Sequence, residues 1–286
     1  MSILLISIIL SSFLFTGFKW FDTQGIKLLP AIAGNYAACI LTALVVNTWF
    51  PSGGPVSDDP AAIWICLGMG VLFFFTFYAM AYVSAYIGVG VSGASSKMSL
   101  IIPVLTGVCL FEKTFEPRLA ISVVLALSAV ILMTWTRGKR MNLRDLSIAF
   151  LVFLGSGIID TAFGLIQALK LSGNLLNQEH IIYIFIGAGC SSLLYIAWKQ
   201  RVLLRDFRSI GYGFLLGIPN YFSILVIFIA MASESFVFHK FFMINNTGVM
   251  LLSFFLGLIF FREKINLARG IGIIFAILSM YLILYR

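Results

Sequence analysis

Long apolar stretches alternate with short polar breaks along the whole chain. A hydrocarbon core about 30 Å thick takes roughly 20 mostly apolar helical residues per crossing. Ten stretches meet that length: 3–21, 28–49, 61–84, 89–111, 118–137, 146–169, 179–198, 209–232, 240–261 and 266–285. They predict ten transmembrane helices joined by short loops, an all-α integral membrane protein. At about 23 residues each, ten helices use about 230 of the 286 residues, so the pattern leaves no soluble domain. The first stretch has no basic residue ahead of it and runs into Lys19, Trp20 and Asp22, an interfacial anchor rather than a small-residue cleavage site, so it is expected to stay as a helix.

Composition agrees. The chain is 61% hydrophobic and 10% charged, against roughly 25% charged in a soluble domain, too few charges for an aqueous surface. A net charge of +8 would point to nucleic acid in a soluble protein. Here the basic residues fall in the loops, where lipid headgroups and topology account for them, and no nucleic-acid partner is expected. Cys39, Cys66, Cys109 and Cys190 lie inside apolar stretches without Cys-x-x-Cys spacing and suggest neither a metal site nor a disulfide framework.

The chain also repeats itself at an offset of 151 residues: Ala79-Met80-Ala81 falls on Ala230-Met231-Ala232, Ser84 on Ser235, Glu112-Lys113 on Glu263-Lys264, Arg118 on Arg269 and Ser128 on Ser279. Charged matches at loop positions are hard to obtain by chance. They divide the chain into two five-helix repeats, 1–138 and 139–286, within one membrane domain. Five is odd, so the second repeat enters from the opposite side. Such a 5+5 inverted-topology repeat is a transporter architecture, because two mirrored arrangements expose one central site to either side in turn.

Each repeat closes its fourth helix on an acidic residue before a short turn. These are Leu110-Phe111-Glu112-Lys113 ahead of Arg118, and Phe260-Phe261-Arg262-Glu263-Lys264 ahead of Gly270-Ile271-Gly272-Ile273, with Pro103 standing in the fourth helix. In this the chain resembles the drug/metabolite transporter superfamily, and within it the EamA-like ten-helix permeases. The resemblance covers essentially the entire chain. It implies a secondary transporter, not an enzyme, of a small polar or amphipathic metabolite such as an amino acid or organic acid. It also implies a location in the cytoplasmic membrane. A lipid or lipid-linked sugar flippase of the same fold is the alternative, and a monomer or homodimer is expected. No Walker A segment, metal cluster or cofactor fingerprint appears, so transport would run on a gradient or exchange without a cofactor.

Ionisable residues deep in a span are functional candidates, because they are costly unless they face a partner or a wet cavity. Lys97 lies eight residues into the fourth stretch, about 12 Å deep, and Asp160 lies further into the sixth, about 20 Å deep. The gap of about 8 Å in depth allows either a static salt bridge or a proton-coupled pair. Asn220, Asn245 and Asn246 are further buried polar groups, and the repeat aligns Asn246 with Ser95. Tyr78, Tyr82 and Tyr86 share a helix face that could line a cavity or pack. The substrate-binding candidates are thus Lys97, Asp160, Asn246, Ser95, Tyr82, Asn245, Tyr78 and Asn220. Glu234 and His239, beside Lys240, are candidates for a gate or a coupling site.

A distant alternative is an intramembrane serine protease, since Gly90-Val91-Ser92-Gly93 matches a rhomboid nucleophile segment with His239 as base. The ten-helix plan sets these two residues at opposite membrane faces. The glycines of Gly213-x-x-x-Gly217 are expected at a close helix contact. Loop charge fixes the orientation. Thirteen lysines and arginines fall on the side opposite the termini and five on the side that carries them, which places both termini outside the cytoplasm, contrary to the habit of the family. A reporter fused to Arg286 should therefore be active only on the extracytoplasmic side; cytoplasmic activity would reverse the assignment.

Overall fold

A computed structural model describes residues 2–50, 60–107, 109, 117–135, 143–168, 180–199, 201–232 and 238–284. They form α1 (Ser2–Thr23), α2 (Leu28–Trp49), α3 (Pro60–Tyr82), α4 (Val89–Met98), α5 (Ile101–Gly107), α6 (Pro117–Thr134), α7 (Leu143–Ala168), α8 (Ile181–Lys199), α9 (Phe207–Ala232), α10 (Phe238–Phe261) and α11 (Leu267–Leu284). A π-helical turn, Val83–Ile87, extends α3, and a 3₁₀ turn, Arg201–Arg205, joins α8 to α9. Seven segments are long and apolar enough to cross a membrane: Leu4–Thr23, Leu28–Trp49, Pro60–Ile87, Val89–Thr106, Leu143–Phe163, Ile181–Lys199 and Phe207–Ile227. The remaining apolar helices, Ala120–Thr134, Asn245–Phe261 and Leu267–Leu282, are shorter over the described residues. The chain is a helical multi-pass membrane protein.

Its fourth apolar stretch, expected as one helix, is two. Pro103 has no N–H to offer the Ser99 carbonyl, so Ile102 N takes that acceptor instead at 2.9 Å, and Leu100 N reaches back to the Lys97 carbonyl at 3.4 Å. The chain leaves the α-helical ladder at Ser99 and Leu100, directly after Met98. Another irregularity, the π turn, is held from α1: Lys19 Nζ donates to the Ala85 carbonyl, and Ser84 Oγ donates to the Phe15 carbonyl. Lys19 also pairs with Asp22 at 3.7 Å, so the residue read as an interfacial anchor satisfies backbone that a π turn leaves loose.

The helices pack in pairs: α2 with α9, α6 with α11, α3 with α8, α1 with α10, α4 with α10, and α7 with both α3 and α4. Close approach depends on glycine. A Cβ at Gly213 would collide with the Ala31 carbonyl oxygen of α2, and one at Gly217 with that of Asn35, so the paired glycines do let two helix backbones meet. Beside this contact Asn220 Nδ2 donates to Asn35 Oδ1 at 2.8 Å, and Cys39 Sγ donates to the Gly217 carbonyl at 3.2 Å. Asp206 caps the start of α9 by accepting from Ser209 N at 3.1 Å, the main reason its carboxyl sits below the usual carboxylate range, with Lys27 adding to it.

Gly213→Ala forces α2 and α9 apart and should destabilise the protein by about 1–3 kcal/mol, the ordinary cost of overpacking. Gly211→Ala, in open space two residues away, should leave it unchanged. Thermal unfolding in detergent compares the two, and equal melting temperatures would mean that the α2–α9 contact is not as close as described.

Candidate functional site

The broken crossing sets the geometry. In α4, Ser96 faces α7, where Ser156 Oγ donates to Ser96 Oγ at 3.2 Å. That contact fixes the register of two helices whose ionisable residues were expected about 8 Å apart in depth. Asp160 lies one helical turn beyond Ser156, and Lys97 one residue beyond Ser96. The two segments cross here, since Ile102 of α5, six residues beyond Ser96, meets Gly157, one residue beyond Ser156. The Lys97 ammonium and the Asp160 carboxylate lie in each other's electrostatic field, and both side chains are partly buried. They form no direct ion pair, the two within the described residues being Lys19–Asp22 and Lys27–Asp206.

Lys97 also occupies the last turn of α4, where the free carbonyls of a helix end favour a cation. The dipole contributes about 0.3–1 kcal/mol, up to about 2 when partly buried. Placing each charge at the centre of a bilayer costs about 2.5–3.5 kcal/mol on insertion scales. The helix end alone does not offset these two charges.

The third wall is α10. A Cβ on Gly90 would touch Phe254, and one on Gly93 would touch Ser253, so α4 and α10 run antiparallel in contact. One turn further, that register brings Lys97 to the level of Asn246. On the other side of α10, Gly248 meets Ile8 of α1, and Ser12 Oγ donates to the Val249 carbonyl at 3.4 Å. The neighbouring pair Asn245 and Asn246 therefore sits where α10 is flanked by both α1 and α4. Ser95 Oγ, Asn245 Oδ1 and Asn246 Nδ2 are buried without hydrogen-bond partners, as are Ser7 Oγ of α1 and Ser253 Oγ of α10. Buried polar atoms are ordinarily paired, so this group of unpartnered donors and acceptors makes the surroundings of α4 and α10 the candidate site for a polar ligand.

The other candidates go elsewhere. Asn220 belongs to the α2–α9 seam with Asn35 and Cys39. Tyr78 packs with Phe74 and with Tyr195 of α8, whose hydroxyl accepts from Lys199 at 2.9 Å. Tyr82 packs on Tyr86, and the Arg144 guanidinium lies 5.8 Å from its ring centre. Glu234 lies outside the described residues, as do the side chains of His239 and Lys240. Ser92 donates to the Met80 carbonyl at 2.9 Å, and its neighbour Gly93 faces Ser253. Along α10, 14 residues, about 20 Å, separate position 239 from Ser253, the residue that Gly93 faces.

One further residue acts at this site through backbone. Glu263 Oε1 accepts from Val89 N at 2.8 Å, capping the start of α4, and a Cβ at Gly88 or Gly257 would stand 2.9 Å from Oε2. Arg262, in the left-handed conformation at φ 51°, turns the chain back so that Glu263 can reach. The repeated Glu-Lys pair flagged this residue in the sequence, but nothing there indicated which helix it caps.

An uncharacterized protein of Haemophilus influenzae is 30% identical over 226 residues, which cover 77% of this chain and 75% of that protein. The chain belongs to its family. No family model matches the chain. A solved structure described only as "Crystal structure of protein" aligns with a TM-score of 0.63 at 13% identity, covering 98% of this chain and 97% of its own, a likeness of fold alone. The Haemophilus influenzae family member is uncharacterized, so the chemistry of the site is argued from its residues.

Glu263→Ala should cost about 1–2 kcal/mol, the usual value of an N-cap with a favourable charge at a helix start. Glu263→Gln, which keeps an acceptor without the charge, should cost less. Chemical denaturation of the purified protein measures both, and an unchanged Glu263→Ala variant would show that the cap does not hold α4.

Proposed function

We propose that the chain is a secondary transporter of the drug/metabolite type, moving a small polar or amphipathic metabolite across the cytoplasmic membrane by alternating access. The observation that carries this reading is the Lys97–Asp160 neighbourhood at the interrupted α4–α5 crossing, flanked by unpartnered serine and asparagine atoms. Discontinuous helices with polar groups near the bilayer midplane are where transporters hold solute and coupling ions. The site carries one positive and one negative group. An amino-acid zwitterion matches both, its carboxylate toward Lys97 and its ammonium toward Asp160. An organic anion is admitted once Asp160 takes a proton, which couples its movement to a proton.

Alternating access needs the inverted repeat, and the packing supports that reading. With α4 and α5 counted as one crossing, moving five crossings along the chain exchanges α1–α10 with α4–α7, α2–α9 with α3–α8, and α1–α9 with α3–α7. The pairs α2–α8, α4–α10 and α6–α11 map onto themselves. Ten crossings in two opposed halves of five produce such a pattern, with the self-paired α4 and α10 at the pseudo-symmetry axis beside Lys97.

A charge pair that serves only stability can be replaced by apolar residues at little cost, whereas removing one partner strands the other. Lys97→Met/Asp160→Leu should therefore fold at least as stably as the unaltered chain and yet lose saturable counterflow in reconstituted vesicles across a screen of amino acids and organic acids. Retained counterflow in this double variant would reduce the pair to a structural role. Exposure of lipid headgroups in the same vesicles, without solute counterflow, would replace the metabolite reading with a flippase.

A further inference from the structure

Away from the central site, the surface between α2 and α8 carries a groove of about 250 Å³. Small residues line both of its walls: Ala33, Gly34 and Ala37 on α2, and the adjacent Gly189 and Cys190 on α8. Along α2 it runs from Pro30 to Ile40, about 15 Å, which is half of a hydrocarbon core about 30 Å thick. The groove is therefore as long as one leaflet.

One end is closed by Leu204, which belongs to the 3₁₀ turn Arg201–Arg205. That turn begins at Arg201 and ends at Arg205, the residue after Leu204, and both are exposed, so two arginines stand at this end of the apolar trough. Lys27, Lys199 and Arg208 stand at the same end, at the start of α2, the end of α8 and the start of α9. Facing these five cations is the Asp206 carboxylate, which Lys27 Nζ approaches at 3.6 Å and which accepts from Ser209 N at 3.1 Å. Arg208 donates to the Gln24 carbonyl at 3.3 Å and Arg201 Nε to the Ala197 carbonyl at 3.2 Å, contacts that tie these basic residues to the same end of the bundle. A leaflet-long apolar trough with a cationic mouth has the charge and length pattern of an anionic phospholipid, whose phosphate sits at the headgroup level and whose chain follows the helix.

We propose that this groove is a binding site for one anionic phospholipid, its acyl chain laid between α2 and α8 and its phosphate held by Arg201 and Arg205. The site rests on the membrane-crossing character of the helices and not on the transport reading, and it would stand if that reading failed.

The full-length chain, reconstituted in nanodiscs of phosphatidylcholine with or without phosphatidylglycerol and released for native mass spectrometry, tests it. One phosphatidylglycerol should be retained in preference to phosphatidylcholine. A basic residue near the surface contributes enough to change anionic-lipid affinity about fivefold, so Arg201→Gln/Arg205→Gln should lower retention by more than about tenfold. Cys190→Phe, at an exposed position on the groove wall, should lower it with every arginine in place. Equal retention of the two lipids, unchanged phosphatidylglycerol in the arginine variant, or full retention in Cys190→Phe would each overturn the assignment. The last of these would leave only diffuse attraction to the headgroup layer.

Discussion

Hydrocarbon offers no hydrogen bonds, so every polar group carried into it must find a partner within the protein. The helical ladders satisfy nearly all of the backbone, and the places where they fail show how the molecule is organised. Pro103 withdraws a donor, and the chain responds by closing tighter bonds around Ser99 and Leu100. The π turn after α3 frees the Ala85 carbonyl, and Lys19 arrives from α1 to meet it. The start of α4 would present bare N–H groups, and Glu263 comes from the far end of α10 to take one. The π turn and the start of α4 are each supported by a residue distant in sequence, so these local departures from helix double as long-range ties.

The same constraint separates two kinds of polar cluster. Between α2 and α9, Asn35, Asn220 and Cys39 bond to each other beside glycines that allow the backbones to touch, and this seam holds two helices together. Around α4 and α10, Ser95 Oγ, Asn245 Oδ1, Asn246 Nδ2 and Ser253 Oγ have no partners, whereas of the seam's two asparagines only Asn35 Nδ2 is left over. A seam gains stability from its polar atoms, whereas this cluster gives stability away. Proteins keep such a cost where binding repays it, and here it borders two charges and a broken helix.

Much of this was legible along the chain because the signals are local. Apolar runs of bilayer length give the helices, the lone Lys97 and Asp160 stand out against uniform hydrocarbon, and Gly213-x-x-x-Gly217 announces a close contact. Pro103 could be seen, but a proline alone does not say whether a helix kinks or parts. The tyrosines of α3 shared a face in sequence as in structure, yet that face packs on α8 and meets Arg144 of α7. Periodicity tells which residues lie together on a helix and not what lies opposite them.

The amino-acid sequence by itself determined that the chain is helical, that it lives in a membrane, and which charged residues are too deep to be ornamental, because hydropathy and helix length act over about twenty neighbouring residues. Only the tertiary structure decided that Ser96 meets Ser156 where α4 crosses α7, next to Lys97, that Asn220 belongs to the α2–α9 seam, and that Glu263 caps a helix 174 positions away. Those facts depend on helix rotation and register, which in a uniformly apolar segment leave almost no trace in the order of residues. They are set by where small side chains let two backbones meet.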